Sequence, residues 1–461
     1  MPKPHSHRLP NELLAEIFIL CIPRISRLYF FDIDNRLDTE PVYPHVALQL
    51  SQVCSRWRGV ALSTSYLWSQ IVIMSSQSKG LRNAAKASSL LEWTSHYLKH
   101  SRNQPLEIAL QSPADDLTPF LMQPLYHTLL EESQRWKWVH FNLYCPHIEE
   151  LSIPQSLPML EFVHFHVNSL MHVFNFPSLI APRLRDIALS EIMITRARRK
   201  YVPALEALTK SCPSLVNIFL LHASAVFALE CLLFAPSCCL SIDLVPGLSG
   251  PFSEFEDWPV TASISALVTN SKYTVDDQSN DPLYDLLNNI LSLPNVHLLD
   301  FTGGRFSGRP FPHAPLISFL SRRRPNETPI TKFILKRWIL KDEYLLQILE
   351  LLPALEHLVV DEKIPKKRRR KGRTLSSSFL RALRVPPNGS ASKWFLPHLR
   401  NLTLTFGQEV DYEALTDLIR SRQGVDISGL EQVSISVPRK LVDIEGIELL
   451  RVMDSVVVEL V

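Results

Sequence analysis

The side chains that could do chemistry are few and scattered. His164 and His166 stand two apart in L-E-F-V-H-F-H, the spacing that puts two imidazoles on one side of a strand. A zinc site needs three or four nitrogen, sulfur or carboxylate ligands, and no Cys or carboxylate cluster completes this pair. Cys238 and Cys239 are neighbours, with His222 upstream, and show no ligand spacing; free cysteines of this kind usually pack. Gly303-Gly304 lacks the Lys-Ser/Thr that a phosphate loop requires, in a chain of only 13 glycines. No G-x-S-x-G elbow occurs. The reading is a non-enzyme: no catalytic residue, no metal, no cofactor. One dense charge feature remains, P-K-K-R-R-R-K-G-R, which contains Lys366, Lys367, Arg368, Arg369, Arg370 and Lys371. Such density cannot pack and implies an exposed loop. Its functional readings are a nuclear-import signal or a phosphate-contacting patch. The plain reading is a solvated insertion between the strand that starts at Leu355 and the helix around Phe379.

The elements around these residues set the frame. At 461 residues the chain is too long for one small core. Hydrophobic residues make up 46% and charged residues 20%, which implies a folded chain. The net charge of +2 gives no global reason to expect nucleic acid. The odd count of seven scattered cysteines and the polar N-terminus favour a reducing compartment, cytoplasmic or nuclear. Residues 211–242 carry Glu230 as their only formal charge. Pro213, Asn217, His222, Glu230 and Pro236 interrupt that run. It reads as strand 215–221, helix 223–234 and strand 240–244, not as a membrane span.

Two helices open the chain. Leu13, Leu14, Ile17, Phe18 and Cys21 recur at three- and four-residue steps. Pro10 sits where a first turn tolerates proline, and Asn11 and Glu12 suit the positive helix end. Leu50, Val53, Cys54, Trp57, Val60 and Ala61 form the stripe of a second, longer helix that Ser63-Thr64-Ser65 ends. Leu67 and Trp68 follow as apolar anchors. So short a piece cannot hide two full stripes, so another domain or a partner must cover the surplus.

Leu9-Pro10, Glu12-Leu13-Leu14, Ile17-Phe18, Val53-Cys54-Trp57-Arg58 and Leu67-Trp68, as ordered, resemble the F-box, in the version found in mushroom-type fungi. The resemblance covers about 60 of the 461 residues. Residues 24–45 make a longer connection than most F-boxes have. The resemblance implies that Pro10, Leu13, Leu14, Ile17, Val53, Cys54, Trp57 and Leu67 dock a Skp-type adaptor and, through it, a cullin scaffold. The bland counterpart is a helical hairpin whose anchors pack on each other.

Further on, a helix over 82–98, a strand from Leu106 to Leu110 and a strand over 136–144 are expected. Pro119 and Pro124 restrict any helix before Leu125. Then Leu-x-x-aliphatic-x-aliphatic recurs, starting at Leu160, Leu184, Leu215, Val296, Ile330, Leu355, Leu399 and Leu430. Each unit offers a strand and a helical piece that cannot bury its edge alone, and stacking joins the edges into one core. The pattern resembles a degenerate leucine-rich repeat without its regular asparagine turn; a single doubly wound sheet is the other solution.

The expected fold class is α/β: a small all-helical F-box module followed by an irregular leucine-rich-repeat-like solenoid. The expected boundaries are 1–75 for the module, 76–135 for a linker with the first strand units, and 136–461 for the solenoid, with loops at 246–260 and 362–375. Alternation along each strand sends the repeat positions inward and the residues between them to an open face. That face should offer His164, His166, Phe219, Leu221, Ile334, Lys336, Val359 and Asp361 to a target protein, with Ala188, Ser190, Asp300, Thr302, Thr403, Thr405, Ser434 and Ser436. The functional expectation is a substrate-recognition subunit of a cullin-type ubiquitin ligase, with no membrane and no homo-oligomer implied. The alternative is a ligase-independent nuclear scaffold or nucleic-acid-associated protein that uses the basic loop.

Overall fold

The computed structural model describes residues 9–22, 46–74, 84–111, 118–143, 156–167, 180–190, 211–223, 225–234, 238–244, 260–261, 266–271, 282–303, 310–362, 375–386, 394–407, 410–423, 429–441, 443–451, 453 and 456–460. The expected long connection 24–45, the basic run Lys366–Arg373 and residues 246–259 of the first expected loop lie outside them. The chain divides into two compact units, Met1–Leu215 and Val216–Val461.

The first unit opens with α1 (Asn11–Leu20), α2 (Val46–Val53) and α3 (Ser55–Ser63), and then a 3-10 turn, Ser65–Trp68. The long second helix expected over this stretch is two helices. Cys54 breaks it with an extended backbone (φ −162°, ψ 169°) and caps α3, its thiol sulfur accepting from the Trp57 amide at 3.4 Å. Cysteine has low helix propensity, and here its side chain satisfies one of the amides that a helix start leaves unpaired. Trp68 is fully buried and donates its indole N–H to the Ala61 carbonyl at 2.8 Å, which ties the turn to α3.

Five parallel strands follow: β1 (Gln70–Met74), β2 (Leu106–Gln111), β3 (Trp136–Leu143), β4 (Phe162–Val167) and β5 (Asp186–Ser190). They pair side by side in chain order. Parallel neighbours need crossovers. Helix α4 (Ala84–Ser101) joins β1 to β2, and α5 (Thr118–Glu131) joins β2 to β3. Helix α5 forms despite Pro119 and Pro124. Pro119 falls in the first turn, where no amide is missed. Pro124 lies inside, and Thr128 donates its hydroxyl to the Pro124 carbonyl at 2.9 Å. Ile71, Ile108, Val139, Val163 and Ile187 share one row across the five strands, and all are buried.

The second unit repeats strand and helix. Its elements are β6 (Asn217–Ala223), α6 (Ala225–Phe234), β7 (Cys239–Leu244), β8 (Val260–Thr261), β9 (Ala266–Ser271), α7 (Pro282–Asn289), β10 (Ile290–Ser292) and β11 (Leu298–Gly303). Then come α8 (His313–Ser321), β12 (Lys332–Lys336), α9 (Asp342–Glu350), β13 (His357–Asp361), α10 (Ser377–Ala382) and β14 (Asn401–Thr405). The unit closes with α11 (Tyr412–Gln423), β15 (Gln432–Val437), α12 (Ile444–Arg451) and β16 (Val456–Leu460). Apart from the short β8–β10 ladder, nine strands of this unit run parallel in chain order, which with the five of the first makes fourteen among the described residues. The class is mixed α/β with parallel strands.

The eight copies of the sequence pattern coincide with β4, β5, β6 and β11 to β15. Their first residues, Leu160, Leu184, Leu215, Val296, Ile330, Leu355, Leu399 and Leu430, are all buried. Fourth positions make a continuous core row in the second unit: Leu299, Phe333, Leu358, Leu402 and Val433 lie in register and are at most 1% exposed. The helix layer is locked by one buried cation. Arg422 of α11 is 0% exposed and donates to the carbonyls of Leu383 (2.8 Å), Leu396 (3.1 Å) and Phe395 (2.6 Å). Burial pushes this guanidinium down to about 10.

Candidate functional site

Helix α1 divides its apolar residues between two sides. Leu14 and Phe18 are buried, 2% and 0% exposed. Leu13 (53%), Ile17 (44%) and Leu20 (83%) lie on the other side at i, i+4 and i+7. The single inward stripe expected from the sequence is therefore two stripes, because a helix with apolar residues at adjacent positions cannot turn both to one core. Val53 at the end of α2 is another exposed aliphatic, at 60%. Of the expected docking residues, Pro10, Leu13, Ile17 and Val53 are exposed, Cys54 and Trp57 are half-buried, and Leu14 and Leu67 are buried.

Trp57 holds this arrangement together. Its ring lies 4.9 Å from that of Phe18, tilted by 56°, so α3 and α1 meet through an aromatic pair. Arg56, one position before, reaches back to the start of α1. It donates to the Asn11 side-chain oxygen at 3.0 Å and to the Leu9 carbonyl. With α1 clamped at its start and at Phe18, the face bearing Leu13 and Ile17 has a fixed orientation.

In the second unit the strand face away from the core carries two registered rows. The first runs Val268, Asp300, Ile334, Val359, Thr403, Ser434, Val457. The second runs Thr302, Lys336, Asp361, Thr405, Ser436, Glu459. The burial alternation in β11, β13 and β14 sets these residues half-open over a closed core row. Phe219, Lys336, Val359 and Asp361 are half-buried. Ile334 departs from the expected open position: it is 7% exposed. Its registered neighbours are Asp300 and Val359, and Lys332 and Lys336 lie two positions to either side on the same strand face. Burial pushes the Asp300 carboxyl up; the Thr302 hydroxyl, donating at 2.9 Å, and the charges of Lys336, Lys332 and Arg337 oppose that rise.

The first unit corrects two other expectations. His164 is 4% exposed and Ala188 is 0% exposed, so neither is open to a target. His164 sits opposite His140 of β3, and their Nδ1 atoms are 2.7 Å apart. One ring must donate its N–H into the lone pair of the other, so the two close as an internal pair. Trp138 and Phe162 stack beside them at 4.8 Å. The side chains of His166, Ser190 and Leu221 lie outside the described ones, as do Lys366, Lys367, Arg368, Arg369, Arg370 and Lys371 altogether.

Neither a scan of protein-family models nor a search of curated proteins finds a match to this chain. Among the described residues, no three His, Cys, Asp or Glu side chains are grouped to hold a metal ion. Among the same residues no helix is long and apolar enough to cross a membrane.

The arrangement presents an exposed aliphatic row on α1 and half-open rows on the strands of the second unit. Sequence reasoning missed three of its parts: the Arg56 clamp, the outward position of Leu20, and the acidic-basic cluster around Asp300. Arg56 and Leu20 were visible in the sequence, but only the helix crossing reveals their roles. Asp300 needed the register of β11 against β12.

Proposed function

We propose that this chain is the substrate-recognition subunit of a cullin-type ubiquitin ligase of the Skp–cullin–F-box kind. Helices α1 to α3 are read as an F-box-like module that docks a Skp-type adaptor, and the strand–helix units as an irregular leucine-rich-repeat-like solenoid that holds the target. The observation that carries the reading is the outward row Leu13, Ile17 and Leu20 on a helix that Arg56, Phe18 and Trp57 hold in place. Large aliphatic groups kept on a clamped helix face favour a protein partner. Pro10 and Val53 add to the docking set, while Leu14, Leu67, Cys54 and Trp57 act from beneath by fixing the helices.

The proposed mechanism is positioning. A target held on the strand face is brought near a transfer enzyme, which raises the effective concentration of its lysines without catalytic chemistry in this chain. The half-open rows around Lys336, Val359 and Asp361 combine apolar and charged groups, as protein interfaces do. The reading implies a cytoplasmic or nuclear home. The test is affinity purification of the tagged full chain. Co-purification of adaptor and cullin supports the proposal. Salt-sensitive retention of nucleic acid without them supports instead the scaffold reading, in which Lys366–Arg373 does the binding.

A further inference from the structure

Helix α4 carries two histidines one turn apart. His96 and His100 stand at i and i+4 in E-W-T-S-H-Y-L-K-H, a spacing that brings two side chains onto one helix face. Their ring centroids are 4.5 Å apart, with the planes tilted by 57°. His96 is exposed and His100 is half-buried. The buried ring of Trp68 backs both of them: its centroid lies 5.1 Å from each imidazole, at 80° to His96 and 40° to His100.

One ring nitrogen of His100 donates its N–H to the Leu62 carbonyl, near the end of α3. That bond orients the ring and leaves the other nitrogen as the lone-pair acceptor. Burial, and then the charges of His96, Lys99 and Arg102, push His100 down against the effect of the Leu62 bond. They favour the neutral imidazole, which is the form that ligates a metal. The buried pair His140 and His164 differs, because there the two Nδ1 atoms already bond each other at 2.7 Å.

We propose that His96 and His100 form a two-histidine chelate for a divalent late transition-metal cation, Ni2+ or Cu2+, with the Leu62 carbonyl as the outer partner of His100. Imidazole suits these ions, and their tetragonal geometry places two nitrogens at adjacent corners, which needs two rings as close as these. Water fills the remaining corners on the exposed side, so two protein ligands suffice. A ligating histidine ordinarily donates its other N–H to a carbonyl or carboxylate, and Leu62 supplies that bond before a metal arrives. Lys99 and Arg102 are exposed, and their repulsion of a cation through water is weak beside two coordinate bonds. The chelate exists only while α4 is helical, so the cation stabilises the folded chain by mass action.

The experiment uses the full-length chain without a polyhistidine tag and titrates it with Ni2+. Carbethoxylation of histidines by diethyl pyrocarbonate is mapped by mass spectrometry, and melting is followed in parallel. The expected result is that Ni2+ protects His96 and His100 together, at one midpoint, while the exposed His297 stays reactive. The melting temperature should rise over the same range of Ni2+. His96→Gln changes an exposed side chain and should melt like the parent without metal. In that variant protection of His100 should require at least about tenfold more Ni2+, and the rise in melting temperature over the parent's range should vanish. Equal reactivity of His96 and His100 with and without Ni2+, or protection of His100 that survives His96→Gln unchanged, overturns the proposal.

Discussion

Replacing Leu13 and Ile17 together by Ala separates docking from folding. Both residues are about half exposed, at 53% and 44%. Full burial of such a side chain contributes about 1.5–3 kcal/mol, so covering the exposed half of each contributes about 1 kcal/mol. The double variant should lose about 2 kcal/mol of docking energy, or roughly 30-fold in Kd. Its melting temperature should fall by less than that of Leu14→Ala, because only about half of each side chain is buried and Ala suits a helix. Leu14→Ala, one position away, should behave in the opposite way. Leu14 is 2% exposed, and truncating a buried Leu costs about 2–5 kcal/mol. The assays are thermal melting of each variant and calorimetric titration with a purified Skp-type adaptor. Parental affinity in Leu13→Ala/Ile17→Ala, or a melting drop as large as that of Leu14→Ala, refutes the division of α1 into two faces.

Three further outcomes follow from the helix layer. Arg422→Ala leaves the carbonyls of Leu383, Phe395 and Leu396 without their donor, and denaturant unfolding should show a loss of at least about 3 kcal/mol. Gly446→Ala would place a Cβ 2.5 Å from the Tyr412 ring, so it should lower the melting temperature even though Ala is the better helix former by about 1 kcal/mol. The Asp411 carboxyl is held below its ordinary 3.8 by the Ala414 amide and the Ser377 hydroxyl, so its contribution is present above 3.8 and is lost as pH falls through the lower folded value. Melting from roughly pH 5 to pH 2 should therefore fall less steeply in Asp411→Asn than in the parent.

Much of the strand layer was legible in the sequence. A repeated Leu-x-x-aliphatic-x-aliphatic fixes both strand and inward face, because period two and burial leave one register. Strand β9 was missed because A-L-V-T-N-S puts Thr269, 1% exposed, in the core row where the pattern looks for an aliphatic. The division of α1 was missed because adjacent apolar residues fit either side of a helix until the crossing with α3 is known. The burial of His164 and Ile334 depends on what neighbouring strands bring beside them, and periodicity along one strand carries no such information. Arg422 reads in sequence as one more exposed cation at a helix end; only the convergence of three carbonyls from a distant stretch makes it a core residue. The contacts of Ser376 and Ser378 have the same origin, since their partner Asp342 comes from α9 and not from their own helix.

Adaptor docking by α1 to α3 is what the proposed function rests on. The most direct measurement mixes the purified full-length chain with a purified Skp-type adaptor and determines the mass of the product by sedimentation. A complex of one copy of each, weakened by Leu13→Ala/Ile17→Ala and unaffected by high salt, is the predicted result. Two separate species at every ratio would contradict it.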